Sequence, residues 1–211
     1  MRVHDLSVPI VDGVDWYHEA DCPPVSLQSV GGIAQLGWVS HQLSLMVLNG
    51  TTYVETAAHL YPDAPTLDEL APERLLLRAH VISLEPAGQE LPAPDCGPPE
   101  LAPQTDALLV HSGWESHVHQ PDYYSASPYF SPALQAWLLR RRPAVLGGDM
   151  LSFDHPQDVA MPFLREYLRS GGLIVCPLVG LQPLVGRQVS LCLAPLRLQG
   201  ANAAPCRVLA W

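Results

Sequence analysis

The chain has 211 residues, of which 48% are hydrophobic and 15% charged, and 11 basic residues against 21 acidic ones set the formal net charge at -10. That length and apolar content suit one domain with a real hydrophobic core and exclude a disordered chain. The acidic balance repels phosphate backbones and anionic lipid surfaces, so neither nucleic acid nor membrane is expected as a partner.

HDLSVPI reads as a short opening strand. Gly13 to Pro24 mixes Gly, Asp and prolines and reads as loop. Residues 25–48 carry apolar runs broken by Gly31, Gly32 and Gly37, which predicts two strands and a hairpin. LSLMVLNG is a short apolar run that stops at Asn49-Gly50, the pattern of a buried strand. TTYVETAAHLYPDAP reads as a polar-apolar mixture ending in a proline-bounded loop. Residues 67–75 predict a brief helical turn whose length Pro72 limits.

LLLRAHVISL is a strong strand signal. The stretch at 85–104, with its six prolines, reads as a surface excursion of one domain rather than a linker. DALLVHSG predicts a strand ending in a turn. SPALQAWLLRRR predicts a helix, with three arginines in the last turn to complement its dipole. AVLGGD is a short buried strand. MPFLREYLRSGG is a second amphipathic helix stopped by a glycine pair. LIVCPLVGL is another buried strand, and the segment from Gln188 to Trp211 predicts two strands joined by a small-residue turn. The order of elements describes an α/β domain with a mixed sheet spanning 1–211.

The start, MRVHDLSVPI, lacks an apolar signal core, and no stretch approaches the ~18 apolar residues of a membrane helix. A cytoplasmic chain is expected. Cys22, Cys96, Cys176, Cys192 and Cys206 form no CxxC pair, which fits reduced thiols.

Four stretches, in order, carry a resemblance: HDLSVPI; ALLVHSGW running on to YYSASPYFSPAL; GGDMLSFD; and GANAAPCRVLAW. They resemble the opening Asp-Leu strand, the strand ending in Thr-Gly-Trp, the Gly-x-Asp-x-x-Ser-x-Asp turn and the closing Pro-x-Arg strand of the cyclase family, the kynurenine formamidase relatives. The resemblance implies that family's α/β domain with mixed β-sheets, its hydrolysis of formyl or cyclic amides, and assembly as a homodimer or larger homo-oligomer.

The family's chemistry sits in a motif His-x-Gly-Thr-His-x-Asp-x-Pro-x-His, whose side chains hold one or two zinc or manganese ions that activate water. The matching stretch here is NGTTYVETAAH. Asn49 and Tyr53 stand at the first two His positions, Thr51 at the Gly, Glu55 at the Asp and Ala57 at the Pro; His59 falls on the last His. The family's later His and Glu fall in MPFLREYL, which has no His, and on Cys176. The resemblance therefore implies a pocket of Asn49, Thr51, Tyr53, Glu55, His59 and Cys176, with His59 and Tyr53 as candidate catalytic side chains. It leaves either no cofactor or a single divalent metal on Glu55 and His59, one donor short of the usual catalytic set.

Several choices stay open at this level. Glu55 and His59 can share a weak metal with His155 or Asp154, or form a polar pair in an inherited pocket. Asn49 and Tyr53 can bind a small molecule or be satisfied internally. Cys176 can be a nucleophile or core. Asp149, Ser152 and Asp154 can be a triad fragment or side chains capping backbone amides. His117 and His119 can pair on a strand or sit solvated in a loop, near His111 at a strand end. Trp16, Tyr17, Trp38 and Trp114 can line an aryl pocket or fill core. Arg207 is expected to pair with an acid. Three functions follow: a family member that has lost metal hydrolysis and keeps a small-molecule pocket, an amide or lactam hydrolase with an atypical single-metal site, or an enzyme with metal-free chemistry.

Overall fold

The computed structural model describes residues 2–95 and 106–211; Cys96 and the remainder of the proline-rich stretch to Gln104 lie outside the described residues. In chain order the elements are β1 (His4–Asp5), β2 (Ser26–Gly32), α1 (Ile33–Leu36), β3 (Trp38–Ser44), β4 (Tyr53–Glu55), β5 (Leu76–Ser83), β6 (Glu90–Leu91), β7 (Asp106–His111), β8 (Tyr129–Phe130), α2 (Pro132–Arg141), β9 (Val145–Gly148), α3 (Pro162–Arg169), β10 (Leu173–Cys176), β11 (Gln188–Pro195) and β12 (Ala203–Ala210).

The main sheet runs β1-β12-β11-β5-β7-β9-β10-β4, and β4 also pairs with β12, so seven strands close into a barrel-like ring. The steps from β5 through β7 and β9 to β10 are parallel; the others around the ring are antiparallel. Closure removes the free edges that an open sheet would leave. Parallel strands covered on both faces demand apolar runs rather than alternation, and β7, β9 and β10 are buried throughout.

Alternation sorts their side chains between two cores. Ala107, Leu109, Val145, Leu173 and Val175 belong to the barrel interior with Val54, Val208 and Leu191. Leu108, Val110, Leu146, Ile174 and Cys176 face outward and pack with Leu134 and Leu138 of α2 and Phe163 and Tyr167 of α3. Each such buried aliphatic or aromatic side chain stabilises by about 1.5–3 kcal/mol relative to exposure. Gly147 lets β9 approach β10: a Cβ there would lie 2.6 Å from both the Val175 side chain and its carbonyl oxygen.

Local signals explain the helices. Ser131 caps α2 by accepting from the Leu134 N–H at 3.3 Å, and Pro132 occupies the first turn. α3 also starts on a proline, and Asp154 accepts from the Phe163 and Leu164 N–H groups, each at 2.9 Å. Leu134, Trp137 and Leu138 are the buried face of α2; Phe163, Leu164, Tyr167 and Leu168 are that of α3.

Three expectations are corrected. LSLMVLNG is not a buried strand: β3 ends at Ser44 and a turn carries the chain to Asn49. Among the described residues β3 pairs only with β2, in a two-stranded sheet, the β2–β3 arm, separate from the main one. Its apolar residues therefore stay open, Val39 at 43% and Leu43 at 42% exposure. The buried strand is β4, inside the stretch read as a polar-apolar mixture. The single turn expected at 67–75 is two 3-10 turns, Leu67–Glu69 and Pro72–Leu75, because Pro72 offers no N–H to continue the first. The first turn is closed by a Thr66–Glu69 capping box.

Candidate functional site

β4 places Tyr53 and Glu55 two residues apart on its outer face, while Val54 between them enters the barrel interior. In the β4–β10 ladder Tyr53 stands opposite Cys176 and Glu55 opposite Ile174; on the other side Glu55 stands opposite Ala203 of β12. After β4, Thr56 caps a 3-10 turn, Ala57–His59, by accepting from the Ala58 N–H at 3.2 Å. That turn brings His59 beside Asn202, whose amide nitrogen lies 2.9 Å from His59 Nδ1.

Tyr53, Glu55 and His59 line one cavity of about 390 Å3. Its walls add Tyr17, Met46, Leu48, Tyr124, Phe153 and Met161. Glu55 is 4% exposed, and its Oε1 has no hydrogen-bond partner. Burial alone pushes its carboxyl up to about 8 from 4.5, so a proton is held there at neutral pH. Burial, followed by the charge of Arg165, holds the His59 pKa below its ordinary 6.5 and keeps the ring neutral. Burial raises the Tyr53 hydroxyl far above its ordinary range; it interacts with both Tyr17 and Cys176.

The other residues of the matching stretch are turned to structural work. Asn49 is fully buried: its Oδ1 accepts from the Trp16 N–H at 3.0 Å, and its Nδ2 donates to Asp15 at 3.1 Å and to the Pro23 carbonyl at 3.4 Å. It ties the 13–24 loop to the approach to β4. Thr51 donates to the Val8 carbonyl at 2.9 Å. Neither residue is among the cavity lining. Cys176 is fully buried opposite Tyr53, also outside the lining, and burial pushes its thiol well above the usual range, so it is not poised as a thiolate.

The remaining candidates separate clearly. Asp149 accepts from the Ser112 N–H and hydroxyl at 2.9 and 2.7 Å, and Asp154 caps α3; both carboxylates serve backbone amides rather than a triad. His111 ends β7 beside Ser83 and Glu115. His117 lies in a 3-10 turn stacked on Trp114, with His119 in the loop beyond, so no strand pairs their rings. Of the four aromatics, Tyr17 lines the cavity, Trp16 is core against Tyr123, Trp114 packs against it, and Trp38 is 50% exposed on the arm. Arg207 pairs with Asp5. Cys22, Cys176, Cys192 and Cys206 are free thiols.

Catalytic zinc needs three protein ligands with room for water. Glu55 and His59 supply two donors. His155 and Asp154 also line the cavity, but both Asp154 oxygens are engaged by amides of α3. Among the described residues, no group of three or more His, Cys, Asp or Glu side chains could hold an ion together. The donors among the described residues do not fit the three-ligand site.

Tyr124, Phe153, Met46 and Leu48 were not singled out from the sequence. Tyr124 and Phe153 sit in the two stretches YYSASPYF and GGDMLSFD that carry the resemblance, and that was the only available signal. Met46 and Leu48 were masked by the strand pattern around them. Among the described residues no helix is long and apolar enough to cross a membrane.

A family model described as "Putative cyclase" matches residues 4–155. Among solved structures, a predicted metal-dependent hydrolase from Bacillus stearothermophilus superposes with a TM-score of 0.79 at 18% identity, covering 99% of this chain and 97% of its own. Isatin hydrolase A from Labrenzia aggregata gives 0.78 at 21% identity, with 99% and 93% covered. Isatin hydrolase A from Ralstonia solanacearum gives 0.77 at 20% identity, with 99% and 91% covered. No curated protein matches the sequence.

Proposed function

The chain belongs to the cyclase family, and from that premise we propose that it is a small-molecule-binding member of an amide-hydrolase lineage that no longer hydrolyses through a tightly held metal. The observation that carries this reading is the division of the motif stretch. Tyr53, Glu55 and His59 face a cavity of about 390 Å3, whereas Asn49, Thr51 and Cys176 are absorbed into the protein's own hydrogen bonding and core. The volume is that of a small-ligand site, mostly apolar with a few convergent polar groups. Glu55 offers such a ligand a proton or a lone pair, His59 offers a neutral ring, and the tyrosines offer flat walls. The relatives' names supply the lineage: one is a metal-dependent hydrolase and two are isatin hydrolases.

The alternative, an amide or lactam hydrolase with an atypical single-metal site on Glu55 and His59, is favoured by the unpartnered Glu55 Oε1 and the His59 imidazole lining one cavity. One experiment separates the two. The chain is loaded with zinc or manganese, dialysed and analysed for metal, then assayed with formyl-amide and cyclic-amide substrates. The expected result is far less than one ion per chain and no turnover above background. About one retained ion with turnover, both lost in His59→Ala, overturns the first reading and establishes the second.

We also infer that the chain forms a homodimer through the β2–β3 arm. Half of the exposed large hydrophobics among the described residues lie on it or at its base, including Ile33 at 69% and Trp38 at 50% exposure. From Cys22 to Val54 there is no Asp, Glu, Lys or Arg, on a chain of net charge -10. A second copy is the partner this favours, because two such arms meet without the like-charge repulsion that the rest of the surface would impose.

A further inference from the structure

The cavity wall is one-sided in charge. Five acids line it, Glu19, Asp21, Glu55, Asp154 and Asp158, and no arginine does; the chain contains no lysine. Arg165, whose charge reaches His59, lies outside the lining, with its Nε on the Ala160 carbonyl at 2.9 Å. The acids differ in what they can still do. Asp154 has both oxygens committed to α3. Glu19, Asp21 and Asp158 are exposed. Glu55 is buried, and its Oε1 is the only buried side-chain oxygen or nitrogen among the described residues with no partner.

Such an oxygen is costly to bury unless something in the cavity completes it. A metal ion would need donors that the site lacks. A cationic amine does not, because it brings its own N–H groups, needs aromatic faces, and by its charge favours the ionised form of the Glu55 carboxyl that burial otherwise keeps protonated. Tyr17, Tyr53, Tyr124 and Phe153 supply those faces in the same cavity, and aromatic rings attract an ammonium group through their quadrupole. Acids at the rim add an attractive field for a cation and an unfavourable one for a carboxylate ligand.

We propose that the cavity recognises a primary arylalkyl ammonium ion, with its N–H groups on Glu55 Oε1 and its ring against the tyrosine and phenylalanine walls. This rests on the reading of the cavity as a ligand site and names the class of ligand.

The test is isothermal titration calorimetry of the full chain at pH 7 with three probes of one shape: 2-phenylethylamine, its neutral isostere 2-phenylethanol, and the anion 3-phenylpropionate. The expected order is amine, then alcohol, then carboxylate, with the amine favoured over the alcohol by about tenfold or more. In Glu55→Gln, shown to be folded by its thermal transition, that preference should shrink to within about threefold while the alcohol's affinity is retained. Alcohol binding as tightly as amine overturns the cation assignment and leaves the ligand site standing. A preference that survives in Glu55→Gln overturns the role of Glu55. No binding of any probe overturns both readings. The comparison of probes on the unaltered chain decides the first and last outcomes without the variant.

Discussion

Glu55 is the residue on which the site turns, and its burial gives it a measurable signature. In the unfolded chain it titrates near 4.5, and in the fold near 8. Below pH 4.5 both states hold the proton and burial is not opposed. Between the two values the unfolded chain releases a proton that the fold retains, so stability falls by up to about 1.4 kcal/mol per pH unit. Above about 8 the loss is complete and the dependence flattens, at a ceiling on the order of 5 kcal/mol. Glu55→Gln removes the titration while keeping the shape. The variant should therefore gain on the unaltered chain as pH rises from 5 to 8, read as a growing difference in melting temperature. A difference that stays constant with pH would show that Glu55 is not desolvated in the fold. His59 differs in kind: its ring is held neutral, so it enters the cavity as a polar group rather than a charge.

At the scale of elements, the cavity depends on two short pieces that the main sheet holds. β4 carries Tyr53 and Glu55 but is three residues long, and pairing on both sides, with β10 and β12, keeps it extended. α3 contributes Leu164 to the same lining, and Met161, immediately before its first turn, adds to it. Its first turn is fastened by Asp154, a carboxylate bonded to two orphan N–H groups and aligned with the helix dipole. Asp154→Ala should cost about 1.5–3 kcal/mol in urea denaturation, and Asp154→Asn less, because one amide oxygen can still accept. An unchanged midpoint in Asp154→Ala would mean that α3 is held by its apolar face alone. The strands β5, β7, β9 and β10 and both long helices were legible from apolar runs, capping serine, prolines and terminal glycines. β4 was not, because Thr51, Thr52 and Glu55 break any two-residue period and the strand's apolar content is one valine and one tyrosine.

At the scale of the whole molecule, the arm of β2, α1 and β3 is the feature the barrel leaves unsatisfied. It has apolar side chains that no element among the described residues covers, and a second copy would bury them without like-charge repulsion. Sedimentation velocity should give the mass of two chains. The double variant Ile33→Asp, Trp38→Asp should sediment as one chain with its thermal transition kept, since both residues are exposed. A single-chain mass for the unaltered protein would remove the arm as an interface.

Local patterns were enough to determine the class of fold, because burial on both faces leaves unbroken apolar runs and helix ends carry their own chemistry. The ordered motifs were enough for the family, and the replaced positions 49, 51 and 53 were visible in the chain itself. Which of those side chains face a common space was decided only by the tertiary structure. Asn49 and Tyr53 occupy equivalent positions in the sequence argument, yet one is consumed by Trp16, Asp15 and Pro23 while the other lines the cavity. The walls supplied by Tyr17, Tyr124 and Phe153 come from segments far apart in the chain, and closure of the ring through β4 and β12 is a long-range pairing that no local pattern encodes. Whether a polar side chain is satisfied or left open depends on neighbours brought in from elsewhere, and the unpartnered oxygen of Glu55 is a property of that assembly rather than of the residue.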